Sequence, residues 1–283
     1  MRGLRFAALV ALLLAFAPGS GARAADGASS ASPFSDWAAV VVAGDFHAHS
    51  GADSEAFDNA RKDVAVALQQ IGFDGSHLRQ FSVRPERYPG DHLMLSEPGL
   101  IGDQLADMAS SAQGGCLVYF TSHGSPAGVL VGQRVLSPAG LSRIVDNACG
   151  ARPTVVIISA CFSGVFVPPL SRPDRMVLTA ARPDRSSFGC GESDRYPYFD
   201  TCMLQTLPKA RDFAELGAQV QRCVADKEVA THMAPPSEPQ LFIGSQIRPL
   251  MPFFTFAHAP PPANGATALT GRVRPLPAAR SRQ

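Results

Sequence analysis

The chain has 283 residues, 46% of them apolar and 17% charged, with a formal net charge of +1. That length holds one large domain or two small ones, and a core of that size is stable without covalent staples. A mean hydropathy near zero excludes wholesale disorder. The balanced charge excludes nucleic-acid binding through bulk positive charge. Six cysteines are too few for a miniprotein built on disulfides. They are enough for one or two bridges with a thiol to spare.

Residues 1–24 have the pattern of an export signal. Arg2 and Arg5 precede an unbroken apolar run of twelve over residues 6–17, and Ala22-Arg23-Ala24 supplies small residues at the two positions a signal peptidase reads. The run falls short of the roughly 20 residues that span a bilayer, so no stable membrane insertion is expected after cleavage. Loss of the segment removes Arg2, Arg5 and Arg23 and no acid, which takes the formal charge from +1 to −2. The expected location is exported, periplasmic or secreted, where disulfides form. Residues 25–36 read as a short linker.

Residues 38–44, Ala-Val-rich and ending in Gly44, read as a buried strand. Val64, Leu68 and Ile71 give helical spacing over 56–71, with a stop at Gly72. A second strand is expected over 78–83 and a second helix around Ile101, Leu105 and Met108. Residues 116–121 form a third strand, and 129–136 a small hairpin around Gly132. Ser137-Pro138 is a cap followed by Pro at the first helical position, opening a helix to about Ala148. Strands over 154–159 and 176–180 follow, then helices over 199–207 and 213–227, then a sixth strand over 240–244. Residues 257–283, rich in Pro, Ala and Arg without apolar period, read as a disordered tail. Between 37 and 256 no linker or internal repeat divides the chain, so one domain is expected.

Short β-branched strands alternating with helices predict an α/β fold with a parallel sheet covered on both faces. Ligands of such sheets sit at the carboxyl ends of the strands. Past the third strand comes Ser122-His123-Gly124, and past the fourth Ser159-Ala160-Cys161-Phe162-Ser163-Gly164. If those strands are neighbours, His123 and Cys161 emerge side by side. An imidazole beside a thiol is the minimum for nucleophilic acyl transfer. The oxyanion then needs donors, for which the N–H groups of Gly124 and Cys161 are the candidates.

These residues resemble the legumain-type cysteine peptidases, family C13 of the caspase-like clan, and most closely its exported bacterial members. The resemblance runs from Trp37 to Gly244. It takes in residues 37–45, Phe57-Asp58-Asn59, Thr179-Ala180-Ala181, residues 186–190 and Ser237-Glu238-Pro239-Gln240. It implies a caspase-like three-layer α/β/α sandwich on a six-stranded, mostly parallel sheet. It implies a peptide or protein substrate, no cofactor, and a His123–Cys161 dyad in which the imidazole need not touch the thiol. Legumain selects Asn with a polar pocket that includes an acid two places before the cysteine. Ser159 stands there instead, and Ser122 replaces the acid before the histidine, so that preference does not carry over. By the same resemblance His47 or His49 takes the basic position of the pocket, while Ser187 and Asp200 line its far wall.

Asp45-x-His47-x-His49 is a competing motif. Alternate residues of an extended segment point the same way, so both imidazoles can reach one ion. A catalytic zinc needs a third protein ligand, and His77, His92, His232 and His258 form no pattern that supplies it. A polar loop at the substrate end, without metal, is the expected reading.

Five cysteines remain beside Cys161. Cys116 and Cys149 lie at the amino-end edge if their strands are adjacent, and are expected to pair. Cys202 and Cys223, on successive helices, form the next bridge. Cys190 is left over in a Gly-rich loop near the active-site end, where a regulatory role or an alternative bridge with Cys202 is expected. The leading expectation is an exported cysteine endopeptidase working through an acyl-enzyme. A transamidase on the same dyad, a metal-dependent hydrolase and a catalytically inactive binding protein are the alternatives.

Overall fold

The computed structural model describes residues 31–258. The expected signal segment, and the expected tail from 259 onward, lie outside these residues. Ten strands and six α-helices follow in chain order: β1 (Trp37–Ala43), α1 (Ala56–Gln70), β2 (Leu78–Ser82), β3 (Met94–Leu95), α2 (Pro98–Ser111), β4 (Gly115–Thr121), β5 (Gly124–Ser125), β6 (Gly128–Val131), β7 (Arg134–Leu136), α3 (Pro138–Cys149), β8 (Thr154–Ser159), α4 (Val167–Leu170), β9 (Arg175–Thr179), α5 (Tyr198–Thr206), α6 (Phe213–Ala230) and β10 (Gln240–Ile243). Among the described residues no helix is long and apolar enough to cross a membrane.

The main sheet has seven strands in the order β10-β9-β8-β4-β1-β2-β3, one more than expected. The extra strand is β3, two residues paired in parallel with Phe81 and Ser82. Two residues carry no period, so nothing in the sequence marks them as a strand. All pairings are parallel except β9 with β10. β5, β6 and β7 form a separate antiparallel sheet, which enlarges the expected hairpin by one strand.

Strand parity sorts the core into two layers. Ala39, Val41, Leu117, Tyr119, Val155, Ile157 and Leu178 face α1, α5 and α6, against Val64, Leu68, Phe199, Met203, Phe213 and Val220. Val40, Val42, Val118, Phe120, Val156, Ile158 and Val177 face α2 and α3, against Ile101, Leu105, Met108, Leu141 and Val145. This is the three-layer sandwich that continuous β-branched strands demand, because neither face is left to solvent. The helices start where capping chemistry places them. Ser137 Oγ accepts the Gly140 N–H at 3.1 Å with Pro138 next in line, and Asp212 accepts the Glu215 N–H at 2.8 Å.

Packing starts earlier than the sequence suggests. Phe34, inside the stretch expected as a linker, is fully buried and meets Trp37 edge-on at 5.3 Å and Phe73 stacked at 4.9 Å. At the other end the Ala257 N–H donates to the Ile71 carbonyl at 3.1 Å, so the first residue of the expected tail is held on the fold. Both bridges form as expected, Cys116–Cys149 and Cys202–Cys223, leaving Cys161 and Cys190 free.

Candidate active site

Register brings the two candidate reactive residues together. β4 and β8 are adjacent and parallel, with Thr121 opposite Ser159 at their carboxyl ends. His123 and Cys161 each lie two residues beyond that pair. They therefore leave the sheet at one level, on the edge where α/β folds bind ligands. β1 lies on the other side of β4, so the 44–55 loop arrives at the same edge.

Cys161 is 8% exposed. Its Sγ accepts the Ser187 N–H at 3.3 Å and lies 3.5 Å from the Ser187 carbonyl oxygen. The chain turns sharply straight after it. Phe162 adopts the left-handed region at φ 57°, and its N–H donates to the Arg185 carbonyl at 2.8 Å. That conformation is strained for a bulky residue, and the bond holds it. It separates the thiol from the following helical turn, which starts at Ser163.

The His123 ring packs edge-on against Phe57 at 5.1 Å, and its Nε2 lies 2.9 Å from the His47 carbonyl oxygen. Asp45 Oδ2 is 3.9 Å from the same nitrogen. Among the described residues no hydrogen bond joins His123 to Cys161.

The two N–H groups expected to hold an oxyanion, those of Gly124 and Cys161, lie at this edge. The Leu130 N–H donates to the His123 carbonyl at 2.9 Å, which makes His123–Leu130 a hydrogen-bonded pair of the small sheet. Antiparallel pairs alternate, so Gly124 opposite Val129 is a non-hydrogen-bonded pair and its N–H points away from the ladder. The Cys161 N–H has no intrachain acceptor among the described residues. Gly124 also packs directly on the loop that carries Cys161. A Cβ there would lie 2.1 Å from the Cys161 carbonyl oxygen, so only glycine fits.

Cys161 opens on a cleft of about 400 Å³ that also includes His49, Ser187, Cys190, Asp194, Tyr198 and Met233. His49 and Ser187 thus lie where a substrate-binding role was expected. The other three expected pocket residues do not. His47 faces a separate cavity of about 480 Å³, with Asp45, Ser96 and Glu97, and turns only its carbonyl toward His123. Ser159 and Asp200 are 2% and 0% exposed, beneath the sheet end. There the Asp200 carboxylate accepts from Ser159 Oγ at 2.7 Å, from Thr121 Oγ1 at 2.9 Å and from the Tyr119 hydroxyl. Burial lifts its pKa to about 6 despite these three donors. Asp194, Tyr198 and Met233 were not found from sequence. They come from a loop, a helix start and the segment after α6, and only the fold brings these together.

The Asp45-x-His47-x-His49 segment does not converge on one point. It is a tight loop, with Ala48 N–H to Ala52 O at 2.7 Å and Gly51 N–H to Ala48 O at 2.9 Å. His47 Nδ1 bonds Asp45 at 2.8 Å, while His49 swings to the other side and meets His123 at 5.9 Å between ring centres. The extended-strand parity that would aim both imidazoles at one ion is broken by the turn. Cys190 sits beside His49 and His123, with its thiol pKa pushed up to about 11, mainly by burial and then by its neighbours Cys161 and Asp194.

Comparison with known proteins agrees with this geometry. Residues 100–221 match the sequence model of the Peptidase C13 family. Among solved structures, caspase-1 from Spodoptera frugiperda superimposes with a TM-score of 0.53 over 74% of this chain and 87% of its own, at 16% identity. Identity that low speaks for the fold, which is caspase-like. No curated protein sequence matches the chain.

Proposed function

We propose that this chain is a C13-type cysteine peptidase of the caspase-like clan and that it hydrolyses peptide bonds by attack of Cys161 on the scissile carbonyl, with His123 as the proton carrier. The observation that carries the reading is the Thr121–Ser159 register, which sets His123 and Cys161 at one level with two unpartnered N–H groups beside them. The Cys161 thiol proton passes to the free ring nitrogen of His123, the thiolate attacks the carbonyl carbon, and the C=O electron pair moves onto oxygen. The oxyanion takes hydrogen bonds from the Cys161 and Gly124 N–H groups. Collapse breaks the C–N bond, and His123 gives its proton to the leaving amine. Water, deprotonated by the same imidazole, then hydrolyses the thioester. Transfer of the acyl group to an amine in place of water is the transamidase alternative, and no observation in the cleft favours it.

Two disulfides in one domain support an exported protein, because such bridges persist in oxidising compartments. The test is labelling with an acyloxymethyl-ketone peptide or iodoacetamide, read by peptide mass spectrometry. Labelling at Cys161 that His123→Ala suppresses, together with turnover of a positional-scanning peptide library, is the expected result. A folded protein that turns over no library member and leaves Cys161 unlabelled is a binding protein, and the reading fails.

A further inference from the structure

We propose that His49, His123 and Cys190 form a Zn²⁺ site whose occupation switches the peptidase off. The inference rests on the reading of His123 as the proton carrier. One donor atom from each of the three residues lies within 4.8 Å of the other two. Two imidazoles and a thiolate are a zinc donor set, and three protein ligands with a fourth position open to water is its common catalytic-type coordination.

The pieces are held for this. The His49 N–H donates to the Cys190 carbonyl at 3.3 Å, Ser50 Oγ to Glu192 at 2.6 Å, and Ser54 Oγ to the Gly191 carbonyl at 3.4 Å. These three bonds tie the His49 loop to the Cys190 loop across more than a hundred residues of sequence. Zinc bonds of about 2.0–2.3 Å set neighbouring donors about 3.5 Å apart in a tetrahedron, so the cluster has at most about 1 Å to close. His49 is exposed and free to rotate inward, whereas His123 and Cys190 are half-buried.

The chemistry of the switch is coordination without redox change. Cys190 releases its thiol proton to solvent and bonds the ion, and the imidazoles give their lone pairs. The lone pair taken from His123 is the one that carries the proton to the leaving amine. A bound ion also sits in the cleft beside Cys161. Removal of the metal restores both. The Asp45-x-His47-x-His49 motif thus contributes one ligand, His49, to a site completed from two other parts of the chain.

The experiment is titration of the metal-free full chain with Co²⁺, read in the near ultraviolet, followed by displacement with Zn²⁺. One equivalent is expected to give a thiolate-to-cobalt band that Cys161→Ala keeps and Cys190→Ser abolishes. His49→Ala, a surface change, is expected to weaken binding at least about tenfold, the least that losing even an outer-shell partner costs. Zn²⁺ is expected to stop peptide turnover by the wild type, and EDTA to restore it. No band in the wild type, a band that survives Cys190→Ser, or a band lost with Cys161→Ala overturns the site. Turnover insensitive to saturating Zn²⁺ overturns the switch. The band does not depend on turnover, so metal binding by a protein that cleaves no peptide leaves the site standing and overturns the peptidase reading instead.

Discussion

The Nε2 atom of His123 lies 2.9 Å from the main-chain carbonyl oxygen of His47. A carbonyl only accepts, so Nε2 carries the proton and the neutral ring keeps its lone pair on Nδ1. The 44–55 loop therefore fixes the tautomer of the proposed proton carrier without using a side chain. Long-range ¹H–¹⁵N spectra of the histidines are expected to give the Nε2–H tautomer for His123 at neutral pH; an Nδ1–H pattern would refute the assignment. His123→Ala is expected to lower kcat/KM by about 10²–10⁴, the usual worth of a positioned acid–base group, with the thermal midpoint little changed.

Gly124→Ala tests the oxyanion geometry. The new Cβ would meet the Cys161 carbonyl oxygen at 2.1 Å and Ala160 Cβ at 2.9 Å. The closer of these is main chain and cannot rotate away, so the nucleophile loop and the Gly124 N–H must separate. The expected result is a fall in kcat of about 10²–10³, the cost of one lost oxyanion donor, with KM changing much less. Equal loss in both constants, or a variant that does not fold by circular dichroism, would count against the role given to this N–H.

Asp200 predicts a pH dependence of stability. Its carboxyl is fully buried, and burial raises its pKa from 3.8 to about 6. Between those values the folded state binds more protons than the unfolded one, so the contribution of Asp200 falls as pH rises. The stabilisation is complete below the unfolded value and is lost by the time pH passes about 6. The difference of about two pKa units corresponds to roughly 3 kcal/mol. Asp200→Asn removes the titration; its carbonyl oxygen accepts from two of the three hydroxyls, and its amide N–H donates to the third, which turns to accept. Its stability relative to the wild type is expected to rise by up to about 3 kcal/mol between pH 3.5 and pH 7 in urea titrations. A flat difference would show that the carboxyl is not tuned by its burial.

The strands were legible because a buried parallel strand needs a continuous β-branched run, and residues 154–159 supply one without interruption. Parity along that run also sets where its last residue points. Ser159 shares the parity of Val155 and Ile157, so it turns to the α5 side and meets Asp200 instead of the cleft. The Asp45–His49 segment does not follow the alternating pattern of its competing motif, because parity holds only in extended chain. Two main-chain bonds within 48–52 fold that stretch into a turn. The cleft residues Asp194, Tyr198 and Met233 had no local signal. Their place depends on how the loop before α5 and the segment after α6 return to the sheet edge, which is long-range packing.

The two bridges are expected to differ in accessibility although they close loops of similar length. Cys116 and Cys149 are both fully buried at the amino-end edge of β4, whereas Cys223 of the Cys202–Cys223 bridge is partly open to solvent on α6. Thiol–disulfide exchange needs a reductant thiolate in line with a sulfur, so the accessible bridge reacts from the native state and the buried one only after opening. Mild dithiothreitol followed by alkylation and mass spectrometry is expected to label Cys202 and Cys223 first. With sequence separations of 33 and 21 residues, chain entropy assigns about 4 kcal/mol to the buried bridge and about 3 kcal/mol to the α5–α6 bridge. A Cys202→Ser/Cys223→Ser double variant is expected to lose about that smaller amount in urea unfolding while still labelling at Cys161 with an acyloxymethyl ketone. Its bridge staples α5 to α6 across the layer that also holds Asp200. Loss of probe labelling in a variant that remains folded would therefore mean that the staple positions the sheet end under the nucleophile as well as stabilising the fold.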